Sequence, residues 1–469
     1  MKNEKLKRVL GFIMAVAIII TIAPSGVSAS DDAPSAWAEH YAFMARAAYG
    51  LGDADTYADF RGGVTGMKLE AVSQSIAAAF DVYPSTIYTL ENNPYLMRGV
   101  VITKLYQLIM AVTGEIMDAD EYLAYFVENG LINGRASSDY QIDAICTVEE
   151  MIVFSVRVYE HLVYLTETYS VGFLWQVHGG ASTVYLFGSI HLSDGSIYPF
   201  SPAVEAAFAA SENLVLEVIM TDLDEATIAA YLMEKGLLLD GTTIADYISA
   251  EVYEIYVAVW ESLGVSAMVY NYMQPWFAAM QLESLFALLA FGAESDNDIQ
   301  DATFLGIDMH FLLRAIAAGK NLMELETFES QIDMLASFSP ELQEAQLISM
   351  LMLFVQPDAE NAELTAEEQE AAILAMLILL EAFKTGDEEV LAMFLGADID
   401  IENMHPLDIE YLTKLLLERD IAMAAKIAEL LEDGDNGDYF IIVGAAHLMG
   451  ANSIIELLED MGYTVERIR

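Results

Sequence analysis

Two apolar runs that each end in Gly-x-x-His constrain this chain more than any other feature of it. One is "TVYLFGSIH", ending at His191, and the other is "DYFIIVGAAH", ending at His447. Both are continuously apolar and rich in β-branched and aromatic side chains, without the alternation of a strand that has one wet face. A strand apolar on both faces must be covered on both, which is the situation of a parallel strand inside an α/β sheet. The flanking sequence supplies the crossover. "SPAVEAAFAASENLVLEV" reads as a Pro-initiated helix followed by a strand that ends at Glu217, and strand, helix, strand implies a parallel pair. Upstream, "FLWQVHGGASTVYLFG" reads as a hairpin turning at Gly179-Gly180. The final segment reads as strand, loop, helix, Gly turn and strand.

A chain of 469 residues exceeds what one hydrophobic core usually spans, and the strand signals begin only near Gly172. We therefore expect an α/β domain over 172–469, its strands at both ends and a large helical insertion between. That insertion runs from Leu223 to about Leu430, with one strand at "NLMELE", ending at Glu326, and an acidic loop at "QPDAENAELTAEEQE". Ahead of it, 35–165 reads as all-helical. Thr65 caps one helix, and Thr147 with Glu150 forms a capping-box pattern before another. Two helix, loop, helix units result. In "WAEHY", "AYGLG" and "VTGMKLEAV", and again in "FVENGLING" and "CTVEEMIVF", this stretch resembles surface-layer homology (SLH) repeats. The resemblance implies a small SLH-like domain that holds cell-wall polysaccharide. Where that family usually has Thr-Arg-Ala-Glu, this chain has Thr65-Gly66-Met67-Lys68 and Thr147-Val148-Glu149-Glu150.

Residues 1–29 carry a basic start, an apolar stretch from Val9 to Ala23 and small residues at Val27 and Ala29. This is the pattern of a secretory signal cleaved after Ala29, and the apolar stretch is shorter than the ~20 residues of a membrane span. A secreted, extracellular or wall-associated protein is the expectation. Its 72 acidic residues against 20 basic ones give a net charge of −52, a field that repels nucleic acid and anionic lipid. A single cysteine, Cys146, excludes an intrachain disulfide, so stability has to come from packing or from a metal.

In an open α/β sheet, ligands bind beyond the carboxyl ends of the strands. His191, Glu217, Glu326 and His447 all stand at or just past such ends. Glycines at 188 and 444 are read as giving the chain freedom to turn there. Two histidines and a carboxylate are a ligand set for a divalent transition metal with a position left open for water. The remaining histidines, His40, His161, His178, His310 and His405, lack this context and read as structural or exposed.

Over roughly Phe173 to Arg469 the chain also resembles the TraB/GumN family, whose animal relatives are the TIKI metalloproteases. The motifs are "VYLFGSIHLSDGSIYPF", "LVLEV", "QPW", "LGIDMHFLLRAIAAGKNLMELETFESQ", "LLLERDIAMAAKIAELL" and "VGAAHLMGANSIIELLEDMGYTV". The resemblance implies a metal-dependent hydrolytic site formed by Gly188 to His191, Gly444 to His447 and Glu217, with Gly188 and Gly444 bordering the cofactor. Where the family usually has Arg-Asn, this chain has Arg419-Asp420. The resulting expectation is an exported hydrolase of peptide or protein substrates. His191, Glu217 and His447 would bind Mn, Co or Zn, Glu326 would act as general base, and Arg419 would neutralise the oxyanion. The alternative is a surface protein that sequesters a peptide, metal or haem without turnover.

Overall fold

The computed structural model describes residues 33–82, 95–115, 118, 121–134, 139–191, 193–219, 225–290, 301, 304–354, 362–395 and 404–469. The signal read in 1–29 lies outside them. The described residues fall into two compact units. One is Ser170–Ser193 with Phe200–Arg469, and the other is the chain up to Tyr169 with Asp194–Pro199.

Among the described residues, six strands form one mixed sheet: β1 Leu174–His178, β2 Val184–Ser189, β3 Asn213–Leu216, β4 Asn321–Glu324, β5 Tyr439–Gly444 and β6 Thr464–Ile468. Their order is β4-β3-β5-β2-β1-β6. The four from β4 to β2 run parallel, and β1 and β6 add antiparallel pairings at the other side. The fully apolar β5 is central and buried, whereas β4, at the edge, is mostly exposed. Register places Ser189 against Gly444 and Leu216 against Glu324. All four parallel strands therefore leave the sheet along one rim.

One face of this sheet is held by an aromatic cluster. Phe187 of β2 and Phe440 of β5 pack with Phe208 from the helix Pro202–Ala210 and Phe311 from the helix Ile307–Ala318, at centroid separations of 5.0 to 5.8 Å. Each fully buried ring contributes roughly 1.5–3 kcal/mol. Together they set the start of helix Ile307–Ala318 beside the end of β2. Trp276 and Met280, from the helix Pro275–Ala290, enter a second core with Phe328, Ile332 and Tyr411. No helix among the described residues is long and apolar enough to cross a membrane.

Two readings of the sequence need correction. The acidic segment expected as a loop is helical from Ala362, within the helix Ala362–Thr385. Its alanines, glutamates and leucine have strong helix propensity, which outweighs the acidity that made it look like a linker. Gly188 and Gly444, read as turning points, have no left-handed backbone. What matters there is size. A Cβ on Gly188 would meet Ala445 Cα at 3.2 Å, and one on Gly444 would meet a Glu217 carboxylate oxygen at 3.3 Å.

The other unit is helical, with Ala36–Phe43, Gly66–Ala79, Arg98–Thr113, Tyr122–Glu128 and Val148–Leu165. Thr65 caps Gly66–Ala79, and Thr147 and Glu150 form a reciprocal capping box on Val148–Leu165. Glu150 also pairs with the buried Arg98, whose guanidinium lies 5.0 Å from the centre of the Phe154 ring.

Candidate functional site

The strand order sets the order of the polar side chains along the rim. Glu326 follows β4, Glu217 follows β3, His447 follows β5 and His191 follows β2, so the structure brings all four to one edge. Backbone pairing carries on past the strands, because the Glu326 amide donates to the Glu217 carbonyl at 2.8 Å.

Glu217 is the hub. Its Oε1 accepts the Gly444 amide at 2.6 Å and lies 3.6 Å from His447 Nε2. Its Oε2 accepts Arg419 Nη2 at 2.6 Å and Gln331 Nε2 at 3.2 Å. Arg419 joins this carboxylate to Glu326, donating Nε to both Glu326 oxygens at 3.0 Å and Nη2 to Oε2 at 2.6 Å. The remaining terminal nitrogen, Nη1, donates to the Leu415 carbonyl at 3.2 Å. Burial alone would raise the Glu217 carboxyl, but Arg419, then His447 and His191, hold it at about 2. The same carboxylates raise the guanidinium further above its ordinary range, against the effect of burial.

Each histidine is gripped from behind by an aspartate. His191 Nδ1 lies 2.8 Å from Asp308 Oδ2, and Asp308 Oδ1 accepts the Ser189 hydroxyl at 3.0 Å. His447 Nδ1 lies 2.6 Å from Asp420 Oδ1. Desolvation disfavours the His191 cation, yet Asp308, with Glu217 behind it, lifts the ring to about 9. Burial pushes the Asp420 carboxyl up, and His447 draws it partly back.

One more carboxyl faces this cluster. Glu283 continues the buried stripe of Trp276 and Met280 on helix Pro275–Ala290, and it is 5% exposed. Its Oε1 has no hydrogen-bond partner. Burial pushes its pKa well above the carboxylate range, and the His191 charge opposes this. A buried polar atom without a partner is rare and costly.

The donor set fits a divalent cation. Metal-binding histidines as a rule donate their second nitrogen to a carboxylate or carbonyl, and both rings here are so held. Glu217 and Glu326 share the Arg419 guanidinium, while Asp308 and Asp420 each hold one histidine, so carboxylates and imidazoles of the kind that bind a divalent cation lie along one rim. Among the described residues, no three His, Cys, Asp or Glu side chains already converge at ligand distance.

Sequence reasoning singled out His191, Glu217, Glu326, Arg419 and His447, and left Asp420 without a role. It missed Asp308, Gln331 and Glu283. Asp308 looks like an ordinary acidic residue in a helix's first turn, and Gln331 and Glu283 sit on helices whose approach to the rim is a matter of tertiary packing.

A profile of the TraB/PrgY/gumN family matches residues 173–467. Curated relatives include "Metalloprotease TIKI2" of Xenopus tropicalis, 23% identical over 323 residues, covering 63% of this chain and 59% of the relative. A "Metalloprotease TIKI homolog" of Nematostella vectensis is 20% identical over 330 residues, covering 63% and 67%. One of Amphimedon queenslandica is 19% identical over 324 residues, covering 63% and 61%. The chain thus spans roughly three-fifths to two-thirds of the length of these relatives. No solved structure gives a significant match.

Proposed function

The chain belongs to the TraB/PrgY/gumN family, and from that premise we propose that it is an exported, metal-dependent hydrolase of peptide bonds. The observation that carries this reading is the pair of histidines, each backed by an aspartate and sharing with Glu217 the rim formed by the parallel strands. The names of the distant TIKI relatives supply the peptide as substrate class.

In this reading His191, His447 and Glu217 would hold the ion. Mn, Co and Zn all suit such donors. When bound, the ion supplies an activated water at neutral pH. Glu326 takes the proton of the attacking water, and Arg419 faces the negative charge that develops on the scissile carbonyl. Both must exchange partners to do so, because in the resting protein they are bonded to each other.

That mutual engagement favours a second reading, capture of a peptide, metal ion or haem without turnover. One experiment separates the two. The purified full chain is stripped with chelator and incubated with a peptide library, alone or with added Mn2+, Co2+ or Zn2+. Cleavage lost on chelation and restored by one ion is the expected result. Stoichiometric ion binding with no cleavage would establish the second reading, and cleavage indifferent to chelation would overturn the metal site.

Export rests on the signal-like pattern of 1–29, and contact with wall polysaccharide rests on the SLH-like units of the helical region. Co-sedimentation of the full chain with purified Gram-positive wall tests the latter.

A further inference from the structure

We propose that Glu283 anchors a positively charged nitrogen of the substrate, the amino terminus of a peptide or the side chain of a lysine or arginine, so that the site selects cationic peptides. The inference rests on the peptide-hydrolase reading given above and adds the substrate class to it.

Helix packing brings Glu283 to the site. Trp276, Met280 and Glu283 follow one another at helical spacing along the buried stripe of Pro275–Ala290. The first two pack with Phe328 and Ile332 of the helix Phe328–Ala336, and that helix also carries Gln331, which donates to Glu217 and Glu326. The stripe therefore lies against an element that itself reaches the rim, and Glu283 stands close enough for the His191 charge to act on it.

The folded chain leaves this carboxyl without a partner. Among the described residues no donor reaches its Oε1. The basic side chains that follow Tyr411, a residue of the same core, are committed elsewhere, Lys414 to Glu410 and Ser337, and Arg419 to Glu217, Glu326 and the Leu415 carbonyl. An apolar residue at 283 would complete the stripe without burying an unpaired polar atom. A partner that arrives with the substrate accounts for the carboxyl.

Burial favours the uncharged acid while the site is empty. An arriving ammonium or guanidinium favours the carboxylate and brings N–H donors with it, and such charge-assisted hydrogen bonds are roughly twice as strong as neutral ones. Trp276 and Met280, on the same stripe, suit the apolar stem of a lysine or arginine. The chain as a whole acts in the same sense, because its net charge of −52 draws cationic molecules toward it.

The test uses the full chain loaded with Zn2+ or Mn2+, as wild type and as Glu283→Gln, in physiological salt that screens the general surface field. Four peptides of one sequence carry a free or an acetylated amino terminus, and lysine or norleucine side chains. Wild type should show kcat/KM roughly 100-fold higher on a cationic member than on the doubly neutral one, and Glu283→Gln should shrink that ratio to a few-fold. A ratio lost on acetylation assigns the amino terminus, and one lost with norleucine assigns the side chain. Equal rates of wild type on all four peptides, or an undiminished ratio in the variant, overturn the inference alone. A variant that no longer binds the ion in calorimetric titration also overturns it, by placing the carboxyl on the metal. Should wild type cleave none of the peptides, the hydrolase reading falls, and calorimetric binding of the same four peptides decides the inference by the same ratio. Glu283→Met provides the contrast if Glu283→Gln does not fold.

Discussion

Arg419→Met should destabilise the α/β unit by about 3 kcal/mol at neutral pH. Arg419 is the guanidinium between Glu217 and Glu326, all three side chains being nearly buried, and removing it leaves two carboxylates facing each other. Breaking one partner out of a buried pair costs roughly 3–5 kcal/mol. An independent route gives a similar size. Burial would raise the Glu217 carboxyl, but the folded protein holds it at about 2 against an ordinary 4.5, with Arg419 the leading cause. At about 1.4 kcal/mol per pH unit that difference amounts to about 3 kcal/mol. The sign follows from the depressed pKa. The stabilisation is present above pH 4.5 and is lost as pH falls toward 2, so the variant should be weakened at pH 7 and should lose less than wild type on acidification. Calorimetric melts of chelated protein should show the α/β transition lowered by about 5–10 °C at pH 7. Adding Glu217→Gln should recover part of the loss, as coupled neighbours do. A single variant melting within about 1 °C of wild type at pH 7, or tracking it down the acid limb, would refute the reasoning.

Other outcomes follow from the same geometry. Glu283→Gln should raise stability at pH 7–8 and leave it unchanged near pH 4: the raised native pKa of Glu283 makes the protein lose stability as pH climbs above about 4.5, and urea titrations at both pH values check this. His191→Ala and His447→Ala should each abolish the rise in melting temperature caused by added Zn2+ or Mn2+, whereas His405→Ala, at an exposed helix start, should keep it. Gly444→Ala should weaken cation binding with a modest loss of stability, since its Cβ would press on Glu217. In the helical unit, Arg98→Met should cost about 3 kcal/mol by stranding Glu150, read as a drop in that unit's own calorimetric transition.

The local pattern of this chain was legible without coordinates wherever one segment alone decides the outcome. Continuous apolar runs had to become the covered strands β2 and β5, and Thr65 and Thr147 had to cap the helices they precede, because hydrogen-bond satisfaction and burial there depend on neighbours in sequence. His191, Glu217 and His447 stood out for the same reason, each lying at or just past the end of such a strand. Arg419 drew notice only through the family motif around it, and nothing local to it reports its span across Glu217 and Glu326. Asp308, Asp420, Gln331 and Glu283 give no such sign. Each lies on a helix where an acid or amide is unremarkable, and each reaches the rim only through the packing of its helix on distant elements, as Phe311 against Phe440 seats the helix that carries Asp308. The same limit explains the acidic stretch misread as a loop, since charge pattern and helix propensity point opposite ways and only the folded chain shows which prevails. Sequence alone determined that polar residues would end these strands. Tertiary structure decided which partners hold them, because a hydrogen bond or an ion pair is a matter of a few tenths of an ångström between elements far apart in the chain.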